Sequence, residues 1–259
     1  MSALTSREHN AAQYATKNNL AARQSLWSHY GGRSVFDVAL DLAELSGDEL
    51  VIDVGCGNGR YLENLRARGH RGLVAGLDYS AGMARAAGEH GLTGVADAQR
   101  LPVGTGKFDL ALCMHMLYHV PDVDAALREL RRVVKPEGRV LVATNSLIHT
   151  QEFLDIVREA AERLDVEHVP VWSRESFTAE AAPAHLEPVF SSVTAHHQLD
   201  EVRVPDLEPV LAYVGSLNSI QGYQGTGVLE LAGDLAKAKF DERGYFPVTR
   251  AMTVFVCRP

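Results

Sequence analysis

Hydrophobic and polar positions follow two different periods along the chain, and these periods predict alternating strands and helices. Short continuous apolar runs are typical of strands buried on both faces, and they occur at residues 50–54, 72–78, 92–97, 107–114 and 139–145. Between them, apolar residues recur three or four positions apart, which predicts helices at residues 61–68, 81–89 and 121–134. This alternation predicts a mostly parallel sheet covered on both faces.

The flanking regions predict further elements of the same α/β protein. Helices are expected at residues 8–30, 35–45, 151–164, 206–217 and 228–239, and strands at 187–199 and 246–257. The last strand alternates, with Met252, Val254 and Val256 facing one way, so we expect it to be antiparallel. The sequence thus predicts a doubly wound, mostly parallel, seven-stranded sheet with an N-terminal helical segment and a helical cap inserted before the last strand. The expected divisions are 1–46, 47–146 and 147–259, with the cap helices at about 206–241.

Composition narrows the class of protein. Of the 259 residues, 46% are hydrophobic and 22% charged, which is typical of a globular chain with a sizeable core. A net charge of -8 without a basic stripe argues against a nucleic-acid partner. None of the three cysteines forms a CxxC pair, so neither a disulfide framework nor a zinc site is expected. With no signal peptide or membrane-spanning run in the sequence, we expect a cytoplasmic protein. The choice between monomer and homodimer stays open.

The stretch VIDVGCGNG, residues 51–59, indicates a nucleotide-like ligand. A buried strand runs directly into Gly55, Gly57 and Gly59, and a helical pattern follows. Dinucleotide loops have the pattern G-x-G-x-x-G, but Arg60 stands where the third glycine would be, which argues against a nicotinamide dehydrogenase. A smaller ligand with an amino-acid tail fits better. Asp53, just before the glycines, is placed to meet the ammonium group of such a tail, directly or through water.

Two more acidic residues follow the next two strands. Ligands of open parallel sheets bind at the carboxyl ends of the strands. Asp78 ends the second strand, where an acid accepts hydrogen bonds from both ribose hydroxyls. Asp97 follows the third strand and precedes an apolar bend, which suits an adenine whose exocyclic amine donates to the carboxylate.

Together these motifs resemble the class I S-adenosylmethionine-dependent methyltransferases, and in particular bacterial enzymes that act on small molecules. The resemblance covers roughly residues 50–145 and rests on VIDVGCGNG, LDYS, ADAQRLPV, FDLALCMHMLYHVPD and LRRVVKPEGRVLVATN. It implies a Rossmann-like methyltransferase fold, S-adenosylmethionine as the cofactor and S-adenosylhomocysteine as the product.

For the methionine end of the cofactor, the resemblance implies five contacts. Gly55 and Gly57 pack against the methionine portion, and Met114 lines the cofactor near its sulfonium. Residues 14–31 look like the N-terminal helix of the bacterial small-molecule subgroup, whose tyrosine and arginine, here Tyr14 and Arg23, close over the methionine end.

For the nucleoside end, the resemblance implies contacts from the segments after the second and third strands. Asp78 holds the ribose, and Asp97 and Ala98 meet the adenine. Tyr79 and Met83 flank the adenine.

Candidate catalytic residues lie in MHMLYHV, after the fourth strand. His115, Tyr118 and His119 are placed near the expected methyl group, and His115 is the first choice for a general base. A base is useful only where the acceptor carries an acidic proton. A structural role is the competing interpretation for each residue, with His119 capping the next helix and Tyr118 packing in the core. His115 and His119 are four apart, but on a strand end and loop rather than a helix, so no metal site is expected.

Several functions are compatible with these motifs. The first is transfer of a methyl group, by in-line displacement, to a nitrogen, oxygen or carbon atom of a small organic molecule. Methylation of a quinone or lipid, or of RNA, is the alternative, although RNA would need a basic face. A cyclase that uses the cofactor, or a protein that binds it without transferring a methyl group, also remains open.

Overall fold

The structure, a computed structural model, describes residues 26–27, 29–30, 32–167, 177–216, 223 and 225–259. The helices and strands in these residues are, in order, α1 (Val35–Leu42), β1 (Val51–Val54), α2 (Arg60–Ala67), β2 (Val74–Asp78), α3 (Ala81–Ala87), β3 (Leu92–Val95), β4 (Phe108–Met114), α4 (Val123–Val133), β5 (Val134–Asn145), α5 (Gln151–Arg163), α6 (Ala182–Leu186), β6 (Ser192–Val204), α7 (Leu207–Gly215), α8 (Val228–Arg243) and β7 (Phe246–Arg258). A 3₁₀ turn, Leu117–His119, lies between β4 and α4. Most of the predicted helix at 8–30 lies outside the described residues.

One seven-stranded sheet organises the fold, with the strand order β3-β2-β1-β4-β5-β7-β6. Strands β1 to β5 pair in parallel. Strand β7 runs antiparallel to β5, as its alternating pattern predicted. The predicted α/β fold class is therefore confirmed. Because β2 and β4 flank β1 on opposite sides, the order of the strands reverses at β1, and ligands of such sheets bind at the carboxyl end of this switch point.

The alternation of side chains along β1 assigns its residues to two apolar layers. Ile52 and Val54 belong to a buried cluster that includes the apolar face of α4. Val51 belongs to a second cluster with residues of α1 and α2, which we call the α1/α2 cluster: Ala39, Leu40, Ala43, Val51, Cys56, Tyr61, Leu62, Leu65, Val74, Ala87, Leu110, Leu112, Met114, Leu141, Ala143 and Val254. Since side chains alternate with a period of two, Asp53 points to the same face as Val51.

The chain divides into two compact units. One unit contains residues 35–146, 175–197 and 252–259, and it holds the parallel strands and the glycine loop. The other contains residues 1–34, 147–174 and 198–251. The division falls within β6, between His197 and Gln198, and within β7, between Ala251 and Met252. The second unit has its own apolar core, in which Phe153 stacks against Tyr213 and Phe246 at ring-centroid distances of 4.2 and 5.2 Å.

The strand predicted at residues 187–199 was placed too early in the sequence. Its first residues instead follow helix α6, and the backbone N–H groups of Glu187 and Phe190 donate to the carbonyls of Pro183 and Leu186. Pro188 has no N–H to donate to a strand ladder, which favours this turn. Strand β6 begins only at Ser192 and extends to Val204.

Strand β5 also begins earlier than predicted. The segment Lys135–Gly138 was expected to end helix α4 and precede the strand, but β5 starts at Val134. The pairing register between β4 and β5 shifts between Phe108 and Leu110, which accommodates the extra residues.

Loss of the N-cap residue of α4, Asp122, should destabilise the protein. The Asp122 carboxylate accepts a hydrogen bond from the N–H of Ala125 at 2.9 Å. We expect Asp122→Ala to lower the free energy of unfolding by about 1 kcal/mol, since it leaves that N–H without its partner. Chemical denaturation measures the change, with Glu137→Ala at an exposed position as the control. Equal stability of the two variants would contradict the capping role.

Candidate functional site

The glycine loop after β1 is fixed against the end of β2. Gly55, Gly57 and Gly59 have φ angles of +76°, +55° and +85°, a left-handed conformation that costs other residues about 1–2 kcal/mol. The N–H groups of Gly55 and Cys56 both donate to the carbonyl of Leu77, at 2.7 and 3.1 Å. Of the three glycines, only Gly57 would place a Cβ in open space. The loop is therefore held tightly on both sides of Gly57 and open at Gly57 itself.

Asp78 connects this loop to the end of β2. Its Oδ2 accepts a hydrogen bond from the N–H of Gly57 at 2.8 Å, and its Oδ1 accepts one from the N–H of Ser80 at 2.8 Å. A carboxylate has about four acceptor positions, so both oxygens keep the capacity to accept a ligand hydroxyl. The side chain is partly exposed at the edge of the sheet.

Asp53 is buried under the same edge. Its side chain is 1% exposed, and its Oδ2 has no hydrogen-bond partner among the described residues. Burial, and secondarily the charge of Asp78, raise the pKa of Asp53 to about 8. A buried polar atom without a partner requires an explanation, and a cationic group of a ligand is one that a carboxylate would satisfy.

Asp97 and Ala98 follow β3 and lie next to the end of β2. The N–H of Ala96 donates to the backbone carbonyl of Asp78 at 3.0 Å, which connects the two segments. The Asp97 Oδ1 accepts hydrogen bonds from the backbone N–H and the side-chain amide of Gln99, at 3.0 and 2.8 Å. Ala98 is buried. An acid and a buried apolar residue thus lie side by side near the end of β2, and their contact with adenine stays a prediction.

Tyr79 and Met83 flank the turn from β2 into α3. The Tyr79 side chain is 60% exposed. Met83 is partly buried in the first turn of α3, where its N–H donates to the capping Ser80 hydroxyl at 3.4 Å. Both residues are therefore near Asp78 in the fold, and Tyr79 has an accessible ring.

The carboxyl end of β4 carries Met114 and His115. Met114 is buried in the α1/α2 cluster. His115 has a φ angle of +56°, which is rare for a residue with a Cβ, and its N–H donates to the carbonyl of Ala143 at 2.9 Å. Its side chain is partly buried, and burial lowers the pKa of His115 to about 4. The imidazole is therefore neutral at pH 7.

Tyr118 and His119 lie on the 3₁₀ turn, whereas the sequence predicted an irregular loop. Their rings meet edge to face at 4.4 Å between centroids. Tyr118 packs against the apolar cluster around α4, as its structural interpretation predicted. The cap of α4 is Asp122, so the prediction that His119 caps this helix was wrong.

Two predicted cofactor contacts, Tyr14 and Arg23, lie outside the described residues. Within the described ranges, no group of three His, Cys, Asp or Glu side chains is arranged to hold a metal ion. No helix in this part of the chain is both long and apolar enough to span a membrane.

The sequence did not single out Tyr61, in the first turn of α2. Its side chain is 7% exposed, and its hydroxyl has no hydrogen-bond partner among the described residues. Its ring contacts Phe36 at 4.7 Å between centroids. Burial, followed by the charge of Asp53, raises the pKa of Tyr61. The sequence does contain a sign of this residue. Tyr61 places a polar hydroxyl on the otherwise apolar face of α2, two residues after Gly59.

Comparison with known proteins agrees with this geometry. Residues 52–142 match the family model described as a methyltransferase domain. A ubiquinone biosynthesis O-methyltransferase of Xanthomonas oryzae pv. oryzae is 35% identical over 102 residues, which are 36% of this chain and 42% of the relative. The chain thus aligns with less than half the length of this curated relative.

Two solved structures share the fold along nearly the whole chain. The phosphoethanolamine N-methyltransferase 2 of Haemonchus contortus, in complex with phosphomonomethylethanolamine and S-adenosylhomocysteine, has a TM-score of 0.61 and 15% identity, covering 99% of this chain and 60% of that one. The [4+2]-cyclase SpnF has a TM-score of 0.56 and 17% identity, covering 100% of this chain and 98% of that one.

Residues 52–142 therefore form a methyltransferase domain, and the strand order is that of the class I S-adenosylmethionine-dependent type, as the motifs predicted. The cofactor of this class is S-adenosylmethionine, and the site fits it. Gly57 leaves open space beside the loop, Asp78 has free acceptor positions for hydroxyls, and Asp53 offers an unpartnered buried oxygen to a cation.

Alanine at Gly57 and at Gly59 should have different effects. At Gly57 the added Cβ meets no atom within 4 Å, so we expect a stability loss of about 1–2 kcal/mol from the left-handed backbone alone. At Gly59 the Cβ would also lie 2.9 Å from the Cα of Ala87, so the loss of stability should be larger. Thermal unfolding measures both.

Affinity for the cofactor tests the role of Gly57 in binding. We expect Gly57→Ala to fold and yet to bind S-adenosylmethionine at least tenfold more weakly, because its Cβ occupies the open space. Unchanged affinity in a folded Gly57→Ala variant would show that this side of the loop does not face the cofactor.

Proposed function

We propose that the protein transfers the methyl group of S-adenosylmethionine to a nitrogen, oxygen or carbon atom of a small organic molecule. The observation that carries the proposal is the convergence of a glycine loop and three acids at the carboxyl edge of β1, β2 and β3. Asp53, Asp78 and Asp97 present carboxyl groups to the ammonium, ribose and adenine portions of one ligand.

Each group of residues has a distinct role in this proposal. Asp78 accepts hydrogen bonds from the ribose hydroxyls while holding the loop through Gly57. Asp97 and Ala98 bind the adenine, with Tyr79 and Met83 beside it. At the other end, Gly55, Gly57 and Met114 surround the methionine portion, and the proposal assigns the same portion to Tyr14 and Arg23, which lie outside the described residues.

The protein's main contribution to the reaction is alignment. The cofactor supplies a methyl group that is bonded to a sulfonium, already a good leaving group. The chain's own residues must hold the acceptor atom about 3 Å from that methyl group and in line with the sulfur. A general base adds to the rate only when the acceptor carries an acidic proton.

A small organic acceptor is favoured over RNA by the net charge of -8. Methylation of a quinone precursor is the second candidate, because the curated relative is a ubiquinone biosynthesis O-methyltransferase. That alignment covers 36% of the chain, and the match to the methyltransferase family ends at residue 142, within β5. Residues 147–244 follow the part of the chain that matches the family, and we expect acceptor specificity to come from this segment.

Other reactions of the same fold remain the alternative. The similar structure SpnF is a [4+2]-cyclase, so this fold also occurs in proteins with another reaction. A cyclase or a protein that binds the cofactor without transferring its methyl group would share the glycine loop and the acids. The identity of the product distinguishes these alternatives from methyl transfer.

Mass spectrometry tests the proposed function. The protein is incubated with S-adenosylmethionine that carries a deuterated methyl group, and with aqueous and lipid fractions of a metabolite extract. We expect S-adenosylhomocysteine together with a labelled product in the aqueous fraction. Asp78→Ala should abolish both, because the ribose loses its acceptor, whereas Asp48→Ala at the exposed Arg71 ion pair is the matched control.

The remaining outcomes point elsewhere. Label in the lipid fraction would favour a quinone or lipid acceptor. Methylthioadenosine above the uncatalysed background would contradict methyl transfer and indicate transfer of another portion of the cofactor. Cofactor that is bound but unconsumed with both fractions would favour a binding protein.

We propose His115 as the general base for an acidic acceptor, with Tyr118 and His119 as the further catalytic residues. Because the pKa of His115 is lowered to about 4, the basic form persists at all higher pH values. At saturating S-adenosylmethionine, kcat should therefore fall as the pH drops through about 4, with no His115 step near the ordinary histidine pKa of about 6.5. His115→Ala should lower kcat about a hundredfold or more with the Kd of S-adenosylmethionine unchanged, and a kcat equal to that of the wild type would remove His115 from the mechanism.

A further inference from the structure

We propose that Asp53 is a carboxylic acid in the cofactor-free protein, that it releases its proton to solvent when S-adenosylmethionine binds, and that the hydroxyl of Tyr61 then holds the resulting carboxylate. This inference rests on the proposed cofactor site. Binding of the cofactor then releases one proton. The O–H bond of Asp53 breaks and its proton passes to the buffer. The positive charge of the ligand takes the place of that proton beside the carboxylate.

The surroundings of Asp53 oppose its ionisation. The side chain is 1% exposed and lies on the face of β1 that contacts the α1/α2 cluster. A carboxylate transferred to such surroundings without a partner is strongly destabilised, and a buried acid usually remains protonated instead. Burial therefore favours a neutral carboxyl group at Asp53, and its Oδ2 still has no hydrogen-bond partner among the described residues.

No basic group acts on Asp53 among the described residues. The titratable groups in electrostatic range are Asp78 from β2, Cys56 from the glycine loop, Tyr61 from α2 and Cys113 from β4. The two thiols have raised pKa values, chiefly because they are buried, so they are neutral at pH 7. Asp78 is an acid with two N–H donors, so its negative charge further disfavours a second carboxylate nearby.

Tyr61 supplies the group that a new carboxylate at Asp53 would need. Its hydroxyl is buried and without a partner among the described residues, like the Oδ2 of Asp53, and the two side chains interact electrostatically. The ring is fixed by its contact with Phe36. A phenolic O–H donates well to a carboxylate, and such a charge-assisted bond is stronger than one to a neutral acid. In the proposed ionised state, the Tyr61 hydroxyl would donate to the Asp53 carboxylate, a bond that the structure itself does not contain.

S-adenosylmethionine has the charge that this change requires. Its amino-acid tail carries an ammonium group, and its sulfur is a sulfonium. A nearby positive charge lowers the pKa of a carboxyl group. In the cofactor-free protein the pKa of Asp53 is about 8, so most molecules hold the proton at pH 7, and the cofactor has to displace it.

Isothermal titration calorimetry tests the inference directly. The full-length protein is titrated with S-adenosylmethionine at pH 7 in buffers that differ in their heat of ionisation, which gives the number of protons released. We expect close to one proton more for the wild type than for Asp53→Asn. Protons exchanged by the ligand's own amine occur equally in the two proteins and cancel in this comparison. Above about pH 9 the difference should vanish, since Asp53 is then already ionised.

Tyr61→Phe tests the role of the hydroxyl. We expect about a tenfold loss of affinity for S-adenosylmethionine, because the carboxylate loses a hydrogen bond to a charged acceptor. The proton should still be released, but the affinity should reach its plateau at a higher pH than in the wild type. 5′-Methylthioadenosine lacks the ammonium group and the sulfonium, so it should bind all three proteins equally and release no proton from Asp53, which also shows that the variants are folded.

Three results would overturn the inference. Equal proton release by the wild type and Asp53→Asn, with S-adenosylmethionine bound to both, would mean that Asp53 does not titrate on binding, while the cofactor assignment would stand. Equal weakening of 5′-methylthioadenosine and S-adenosylmethionine by Tyr61→Phe would assign Tyr61 a purely structural role. No binding of S-adenosylmethionine to the wild type would overturn the cofactor assignment and the inference together.

Discussion

The candidate site depends on one acceptor, the backbone carbonyl of Leu77. It receives the N–H groups of Gly55 and Cys56 and thereby fixes the glycine loop at the end of β2. Asp78 is the residue after Leu77. Fixing the loop to Leu77 therefore places the N–H of Gly57 2.8 Å from the carboxylate of Asp78. The β1–β2 register, in which Val54 pairs with Leu77, sets up this arrangement. Parallel pairing of two strands thus determines where the loop and the acid meet.

The sequence predicted the parallel core well because the relevant signals are local. A short apolar run that leads to glycines or an acid is readable within about ten residues. The strands that lead to Gly55, Asp78 and Asp97 all formed, although β2 begins and β3 ends two residues inside the predicted ranges. The strand boundaries were predicted wrongly where pairing with a neighbouring strand, and not the local sequence, determines them. Residues 134–138 join β5 through a shift in register with β4, which no local pattern encodes. Pro188 was a local signal of the turn after α6, and it was outweighed by the apolar residues around it.

For the site, the motif indicated the acids at the carboxyl ends of the strands but not their protonation state. The position of Asp53 before the glycines was evident, yet its unpartnered oxygen and raised pKa follow from burial against α1 and α2, a tertiary property. Tyr61 shares that burial and was missed because a tyrosine in an apolar stripe looks like a packing residue. The low pKa of His115 is also a consequence of burial. The acceptor was not predicted because the motifs that the sequence offers concern the cofactor.

The backbone of His115 has a consequence for the evolution of this protein. Its φ of +56° is uncommon for a residue with a Cβ, although histidine adopts such angles more often than most, and glycine adopts them most readily. Selection for thermostability alone would therefore favour replacing the imidazole at this position. Persistence of histidine under that pressure would mark a compromise between robustness and activity, in which a strained residue is retained because its side chain is needed.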